Sequence, residues 1–328
     1  ATDIAAAVAA QLLFQRQWDA TREAARERGI QIIGDVPIFV ATGSVDVWAR
    51  RELFRGTTEK DRWLPDPVTG VPPDYFSPRG QRWGNPHYAW PVHSASGFQW
   101  WVARFRRALR LADIVRVDHF RGFSAAWEVP AAQQDARTGA WGPAPGEALF
   151  AAVRSALGEL PLIAEDLGEI TPDVEALRDR LGLPGMKILQ LGFGAGPDHP
   201  FLPHTWHHTN WAAYTGTHDN DTACGWYASA GEHARHRYRT YVGRSGDEPG
   251  WDLVRLAWAS VARFAVAPLQ DILGLGSPAR MNTPGTVGGN WTWRAEAFPS
   301  NAATRLRILS ETYGRLPRSA QDDRPPAC

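Results

Sequence analysis

Cysteine and lysine are both scarce in this sequence. Its 328 residues include two cysteines, Cys224 and the terminal Cys328, and lysine occurs only at positions 60 and 187. Two cysteines so placed exclude a disulfide-rich scaffold, and they exclude a zinc or iron–sulfur site built from several thiolates. The cysteine usage therefore favours a reducing, cytoplasmic setting.

Excess charge of one sign and long apolar runs are also absent. Lys plus Arg and Asp plus Glu both total 35, so the formal net charge is zero. A nucleic-acid-binding protein is usually basic or carries a basic stripe. No apolar run approaches the ~18 residues of a membrane-spanning helix. The first 13 residues contain Asp3 and no basic leader, so they make a poor signal peptide. We therefore expect neither a nucleic-acid nor a membrane partner.

Several cofactor and nucleophile motifs are missing. The histidines of "HTWHHTN" (204–210) lack the H-E-x-x-H spacing of a zinc site. "GFGAG" (192–196) mimics part of a dinucleotide-binding motif, but the prolines that follow cannot begin the required helix. The chain has no phosphate-binding P-loop and no G-x-S-x-G elbow. We expect no metal and no organic cofactor.

The N-terminal third of the chain predicts two helices that flank a long insertion. Residues 3–28 form an apolar-periodic stretch that ends at Gly29, a good helix C-cap. The apolar run at 30–40 predicts a buried strand. Residues 41–96 are rich in Gly, Pro and Trp and show no clean period, so they predict an irregular insertion. A second helix is expected over 97–111.

Short apolar strands then alternate with helices, which is typical of parallel β/α units. One of the helices follows Thr171, a good N-cap residue, and another begins near Trp251. The last residues, 316–328, predict a disordered tail. The predicted strands cover 30–40, 112–119, 160–167, 185–192, 211–218 and 263–270.

Carboxylates fall at the C-terminal ends of three predicted strands. They are Asp118 in "RVDHF", Glu165 in "IAEDLG" and Asp219 in "GTHDN". In a (β/α) barrel the active site is built at that end, from several strands. A single strand-end carboxylate is more often a loop cap or an ion-pair partner. Three carboxylates brought together in one cleft repel each other and destabilise the fold. Their presence therefore indicates a functional site. Neighbouring His119, Arg121 and His218 are explained equally well as buried hydrogen-bonded partners of these carboxylates.

The insertion contains the aromatic segment "GVPPDYFSPRGQRWGNPHYAW" (70–90). One interpretation is a loop packed by its own aromatic side chains. The other is a sugar-binding platform, because aromatic faces stack on pyranose rings while Asp, Gln and Asn bond the hydroxyls. The segment follows the first predicted strand at the barrel end that holds the carboxylates, which favours the second interpretation.

These residues resemble the amylomaltases, which are 4-α-glucanotransferases of the α-amylase group. The resemblance spans roughly residues 10–315 and keeps six motifs in order. Those motifs are "GDVPIFV", "GVPPDYFSPRGQRWGNP", "RVDHFRGF", "IAEDLGEITPDVEALRDRLGLPGMK", "YTGTHDNDT" and "PLQDILGLGSPARMN". It implies a retaining enzyme that transfers α-1,4-glucan segments between maltooligosaccharides without a metal or an organic cofactor.

The resemblance also implies a role for each carboxylate. Asp118 is expected to be the nucleophile, and Glu165 the general acid and then the base. Asp219 is expected to bind the 2- and 3-hydroxyls of the distorted sugar. Retention needs a nucleophile and an acid/base about 5–5.5 Å apart. A mainly apolar strand suits a raised pKa at Glu165, and Arg116 suits an ionised Asp118.

Substrate-binding residues follow from the same resemblance. It implies that three of them hold the sugar at the cleaved bond and that four line neighbouring subsites. The first group is Arg116, His218 and Asp35, and the second is Asp74, Gln81, Trp83 and Asn282.

The expected fold is an α/β barrel of the (β/α)8 type that is N-terminally incomplete. Six strands are predicted where closure needs eight, and the missing pair is expected to precede residue 30. A single catalytic body is expected over 1–315, including the insertion at 41–96. An open sheet of this kind leaves apolar edges that invite aggregation or pairing.

Two alternatives to the transferase remain open on the sequence. One is an amylase-like hydrolase, which would make only shorter chains. The other is an inactive fragment that at most binds glucans through its Trp-rich segment. Product chain lengths separate the first from a transferase, and a cooperative melt tests the second.

Overall fold

The computed structural model describes residues 2–73 and 77–316 of the chain. They fall into two compact units, within residues 1–185 and 186–328. The predicted subsite residue Asp74 and nearly all of the predicted tail at 316–328 lie outside the described residues. The single catalytic body expected over 1–315 stays a prediction.

The first unit contains six α-helices among its described residues, interleaved with strands. The helices are α1 (Thr2–Arg26), α2 (Val45–Ala49), α3 (Trp90–Ala95), α4 (Gln99–Leu111), α5 (Gly146–Leu157) and α6 (Pro172–Arg180). The strands are β1 (Ile33–Val36), β2 (Gly56–Glu59), β3 (Arg62–Pro65), β4 (Val68–Val71), β5 (Gln81–Pro86), β6 (Ile114–Val117), β7 (Ala125–Val129), β8 (Ala140–Pro143) and β9 (Leu162–Ala164).

Helix α1 confirms the first predicted helix to within two residues at its C-terminal end. Gly29 follows it with φ of +67°, the left-handed conformation that glycine adopts without a Cβ penalty. The apolar face shared by Ile4, Val8 and Leu12 is exposed. Helix α4 instead buries Trp101 and Phe105, four residues apart on one face.

Strands β1, β6 and β9 are parallel and adjacent in that order. All four residues of β6 are buried, as expected for a parallel sheet covered on both faces. The register pairs Asp35 with Arg116 and Val117 with Ala164. Gly185, the first residue of β10 (Gly185–Ile188), pairs with Ala164. The C-terminal ends of β1, β6 and β9 therefore lie side by side.

The insertion at 41–96 is not irregular, and that prediction was wrong. Its strands β2 and β3 form an antiparallel pair. Strands β4 and β5 join β7 and β8 in an antiparallel sheet of order β5-β4-β7-β8. The strands are four to six residues long and carry Gly or Pro, which hides their period. Gly70 in the middle of this sheet is required, because a Cβ there would lie 2.3 Å from the Gln81 carbonyl oxygen.

The second unit continues β10 and adds two further parallel strands, β11 (Trp211–Tyr214) and β12 (Phe264–Val266). Ala213 pairs with Ala265 in a register that runs parallel. Its core gathers Phe193, Tyr238 and Leu253. The helices are α7 (Ala223–Ser229), α8 (Glu232–Val242), α9 (Pro249–Ala259), α10 (Leu269–Ile272) and α11 (Ser300–Thr312).

All six predicted strands are present in the structure, but each is shorter than predicted. The predicted range of each strand includes residues that follow it in the structure, as at Asp118 and His119 after β6, so it overstates the hydrogen-bonded part. None of the helices in the described part of the chain is long and apolar enough to cross a membrane.

Candidate active site

Asp118 and Glu165 follow directly on two paired strands. Val117 ends β6, Ala164 ends β9, and these two residues are register partners. The Glu165 amide donates to the Val117 carbonyl at 3.0 Å, which extends the pairing by one residue. Neighbouring strands lie about 4.8 Å apart. Asp118 and Glu165 therefore emerge side by side from the C-terminal ends of two adjacent strands.

Arg116 holds two carboxylates at the edge of this site. Its Nη1 donates to both oxygens of Asp35, at 2.8 and 2.9 Å. Its Nη2 donates to Asp118 Oδ1 at 3.0 Å. The Arg116 side chain is 10% exposed, whereas those of Asp35 and Asp118 are 47% and 40% exposed. A buried cation thus orients two carboxylates that remain open to solvent and ligand.

Glu165 lies in a different environment. Its carboxyl group is buried, and burial raises the pKa of Glu165 well above its ordinary value, although the positive charge of Arg116 lowers it. The neighbouring charge of Asp118 raises this pKa further. A carboxyl in this position keeps its proton at a pH where an exposed one has lost it. Glu165 is therefore suited to donate a proton.

His119 supports Glu165 through its backbone. The His119 amide donates to Glu165 Oε2 at 2.6 Å, and the residue has φ of +46°. This left-handed conformation is uncommon outside glycine and is enriched at functional sites. The imidazole is buried, and burial lowers the pKa of His119 to about 3, so the ring is neutral.

The imidazole of His119 packs on aromatic rings. Its ring centroid lies 4.8 Å from that of Trp83 in an edge-on arrangement, and 6.3 Å from that of Phe39. His119 Nε2 has no hydrogen-bond partner among the described residues. His119 is therefore a buried hydrogen-bonded partner of a carboxylate, as one interpretation had it, but through its backbone amide.

Among the described residues, Arg121 contacts an aromatic ring and a backbone carbonyl rather than one of the three carboxylates. Its guanidinium lies 3.6 Å from the centre of the Trp141 ring and donates to the Glu169 carbonyl. Burial lowers the pKa of Arg121. This side chain thus contacts β8 through its cation–π contact with Trp141 and the loop that follows β9 through its hydrogen bond to Glu169.

Asp166, directly after Glu165, forms a buried ion pair with Arg178 of α6. The two side chains are 4% and 6% exposed. Burial lowers the pKa of Arg178, but the charges of Asp166 and Asp179 and its hydrogen bonds to them together raise this pKa above its ordinary value. The pair ties the end of β9 to α6. Sequence reasoning missed both residues, although "ED" at a strand end followed by Arg in the next helix is a usable signal.

Two predicted subsite residues of the insertion meet each other in β5. Trp83 Nε1 donates to Gln81 Oε1 at 3.2 Å. The Trp83 side chain is 39% exposed while its ring contacts His119. The aromatic segment therefore presents a partly open tryptophan next to the residue that follows Asp118.

The second unit brings His218, Asp219 and Asn282 together. Asn282 Nδ2 donates to Asp219 Oδ1 at 2.5 Å, and His218 Nε2 lies 3.4 Å from Asp219 Oδ2. The Asn282 amide donates to the His218 carbonyl at 3.1 Å. The sequence predicted Asp219 at the end of a strand over 211–218. In the structure β11 already ends at Tyr214. Asp219 lies in the loop that follows.

Buried polar groups hold the Asp219 loop in place. Asp271 accepts hydrogen bonds from Thr215 Oγ1 at 2.6 Å and from the Ala223 amide at 2.7 Å. Burial raises the pKa of Asp271. Arg280 Nη2 donates to the Asp219 carbonyl at 2.6 Å. Sequence reasoning missed Asp271 and Arg280, which both lie in the quoted motif "PLQDILGLGSPARMN".

Trp291 was also missed. Its ring centroid lies 5.1 Å from that of His218, and the side chain is 54% exposed. The signal in the sequence is an aromatic residue directly after "GGN", where glycines allow the chain to turn.

Two histidines of the segment "HTWHHTN" (204–210) contact aromatic side chains of the second unit. His204 Nδ1 lies 2.9 Å from the Tyr241 hydroxyl, and the His208 ring stacks on Trp211 at 4.4 Å. Residues 2–73 and 77–316 contain no group of three or more His, Cys, Asp or Glu side chains arranged to hold a metal ion.

Comparison with known proteins gives a consistent result. The sequence profile of the family described as 4-alpha-glucanotransferase matches residues 1–299. The chain is 52% identical over 316 residues to a 4-alpha-glucanotransferase of Thermus thermophilus, covering 93% of this chain and 62% of that protein. It is 48% identical over 309 residues to one from Synechocystis, covering 93% and 61%. The chain thus spans about three fifths of the length of these relatives.

Solved structures agree with the sequence match. The amylomaltase from Streptococcus agalactiae, solved in complex with acarbose, is 40% identical and superimposes with a TM-score of 0.87. The match covers 93% of this chain and 62% of that one. The amylomaltase from Corynebacterium glutamicum, 20% identical, shares the fold with a TM-score of 0.73. The predicted fold class, a barrel of parallel β/α units present in part, is confirmed.

Proposed function

Because this chain belongs to the 4-alpha-glucanotransferase family, we propose that it transfers α-1,4-glucan segments between maltooligosaccharides with retention at the anomeric carbon. The observation that carries the proposal is the contrast between two adjacent strand-end carboxyls. Glu165 is buried with a raised pKa, while Asp118 is open to solvent and bonded to Arg116. Two carboxyls in contrasting environments are the usual arrangement of a retaining glycosidase.

The proposed first step forms a glycosyl–enzyme. An oxygen of Asp118 attacks the anomeric carbon, and the bond from that carbon to the glycosidic 4-oxygen breaks. Glu165 gives its proton to the departing oxygen, which leaves as a sugar 4-hydroxyl. Asp118 thereby becomes an ester and Glu165 a carboxylate, which the Arg116 charge and the His119 amide stabilise.

The second step restores both carboxyls. The 4-hydroxyl of an acceptor glucan attacks the anomeric carbon of the ester, and Glu165 takes the proton of that hydroxyl. The bond to Asp118 breaks and a new α-1,4 linkage forms. Water in the acceptor position gives hydrolysis instead. A glucan held in place has a high effective concentration and competes well with water.

The remaining predicted residues are proposed as sugar ligands. The ion-paired Asp35 and Arg116 and the hydrogen-bonded His218 and Asp219 suit the hydroxyls of the sugar at the cleaved bond. Asp219 is proposed to bind the 2- and 3-hydroxyls most strongly in the transition state. The proposed residues of neighbouring subsites are Asp74, Gln81, Trp83 and Asn282.

Incubation of the purified chain with maltotriose tests this function. Transfer predicts glucose together with maltooligosaccharides longer than maltotriose, resolved by chromatography. Asp118→Asn is the matched control, because it keeps the shape of the side chain and its bond to Arg116 while removing the nucleophile. Products that are all shorter than maltotriose would identify a hydrolase. A folded chain that yields no product, judged by a cooperative melt, would contradict catalysis by this chain.

A further inference from the structure

Trp291 has a large apolar side chain that is about half exposed and lies beside the polar residues His218 and Asp219. Its side chain is 54% exposed, and its ring lies 5.1 Å from the His218 ring with an angle of 38° between the planes. His218 in turn lies next to Asp219. Exposed indole surface is unfavourable in water, and aromatic side chains that stay open next to hydrogen-bonding groups are typical of binding sites.

The backbone holds Trp291 in this position at a conformational cost. Its φ of +62° is a conformation that bulky residues rarely adopt. The Trp291 amide donates to the Met281 carbonyl at 2.7 Å. The preceding residue, Asn290, accepts from the Thr283 amide at 3.0 Å. The segment is therefore pinned to the residues that flank Asn282, which bonds Asp219.

Indole, imidazole and carboxylate together match the surface of a pyranose. The C–H face of a sugar ring stacks on an aromatic ring, while its hydroxyls donate to a carboxylate and bond an imidazole. We propose that Trp291 is a stacking platform for a glucose unit of an α-1,4-glucan, at the surface bordered by His218 and Asp219. This inference rests on the proposed function and adds a substrate-binding residue to it.

Binding of maltooligosaccharides to variants of Trp291 tests the platform. The parent chain carries Asp118→Asn, so that the ligand is not consumed. Trp291→Asn removes the ring with a residue that tolerates positive φ, and Trp291→Tyr retains an aromatic face. Phe298→Asn is the control, because Phe298 is also about half exposed on the same segment.

We expect Trp291→Asn to raise the Kd for maltohexaose about tenfold, as measured by calorimetry. This corresponds to a loss of about 1.4 kcal/mol in binding free energy. Trp291→Tyr should lose less affinity for maltohexaose than Trp291→Asn, and Phe298→Asn should bind maltohexaose like the parent. In the chain that retains Asp118, Trp291→Asn should raise KM with little change in kcat, because stacking is present in both ground and transition states.

Two results would overturn the platform while leaving the proposed function intact. One is a Trp291→Asn variant that binds maltohexaose as tightly as the parent. The other is an unchanged Kd with a reduced kcat, which would mean that Trp291 only positions His218. A parent chain that neither binds nor transfers maltooligosaccharides would overturn the proposed function itself, and this inference with it.

Discussion

The buried ion pair between Asp166 and Arg178 should be costly to break from one side. We consider Arg178→Met, which fills a similar volume but leaves the Asp166 carboxylate without its cation. The two side chains are 4% and 6% exposed, so solvent screens the pair little. Two unit charges about 4 Å apart attract by about 4 kcal/mol at an effective dielectric constant of about 20.

Removing one partner of a buried pair costs about 3–5 kcal/mol, because the remaining charge stays buried. The bond from Arg178 to Asp179 adds little to this loss, since the Asp179 side chain is 60% exposed. We therefore expect Arg178→Met to lower the free energy of unfolding by about 3 kcal/mol or more. Adding Asp166→Asn should recover much of this loss, because no buried charge then remains.

Urea unfolding followed by circular dichroism measures this double-mutant cycle. The pair also reaches the active site, because the negative charge of Asp166 raises the pKa of Glu165. Without the positive charge of Arg178, the negative charge of Asp166 should raise the pKa of Glu165 further. The alkaline limb of kcat/KM should therefore move to higher pH. A loss below about 1 kcal/mol for Arg178→Met, or a double variant no more stable than the single one, would refute the reasoning.

Three further predictions concern single sites. Activity on maltotriose should fall as pH rises through the raised pKa of Glu165, because the deprotonated form cannot donate a proton; a Glu165→Gln variant that retains this alkaline limb would contradict it. His119→Val should cost about 1–3 kcal/mol more than His119→Asn in thermal unfolding, because a β-branched residue resists φ of +46°. Equal melting temperatures would count against backbone strain there. Gly70→Ala should destabilise by about 1–3 kcal/mol, since its methyl carbon would meet the Gln81 carbonyl at 2.3 Å; an unchanged melting temperature would exclude that clash.

The predictable part of this fold is its parallel strands. "ADIVRVD" and "LPLIAED" are short apolar runs that end in a carboxylate, and both became strands with Asp118 and Glu165 one residue beyond the end. A strand buried on both faces has to be apolar along its body, so its pattern is readable without knowing its neighbours. The antiparallel sheet of the insertion was missed because its strands are short, half-buried and interrupted by glycine and proline.

The contacts that support the site depended on partners distant in sequence. The sequence around Asp219 does not indicate that Arg280 donates a hydrogen bond to the Asp219 carbonyl. It also does not indicate that Asp271 accepts a hydrogen bond from the Ala223 amide after this loop. His119 was noticed as a titratable side chain, yet its contribution is a backbone amide aimed by a left-handed φ. Side-chain identity reports on such an arrangement only indirectly, because any residue carries an amide.

The environments of the two adjacent carboxyls bear on which of them carries the proton in the proposed mechanism. Arg116 donates from Nη2 to Asp118 and from Nη1 to Asp35, so its direct hydrogen bonds go to these two side chains. Glu165 is buried more deeply, and the nearby negative charge of Asp118 opposes its ionisation. Two neighbouring carboxyls do not ionise together without cost, and the proton is retained where desolvation is greatest. This contrast supports our proposal that Glu165 is the acid and that Asp118, which accepts a hydrogen bond from Arg116, is the nucleophile.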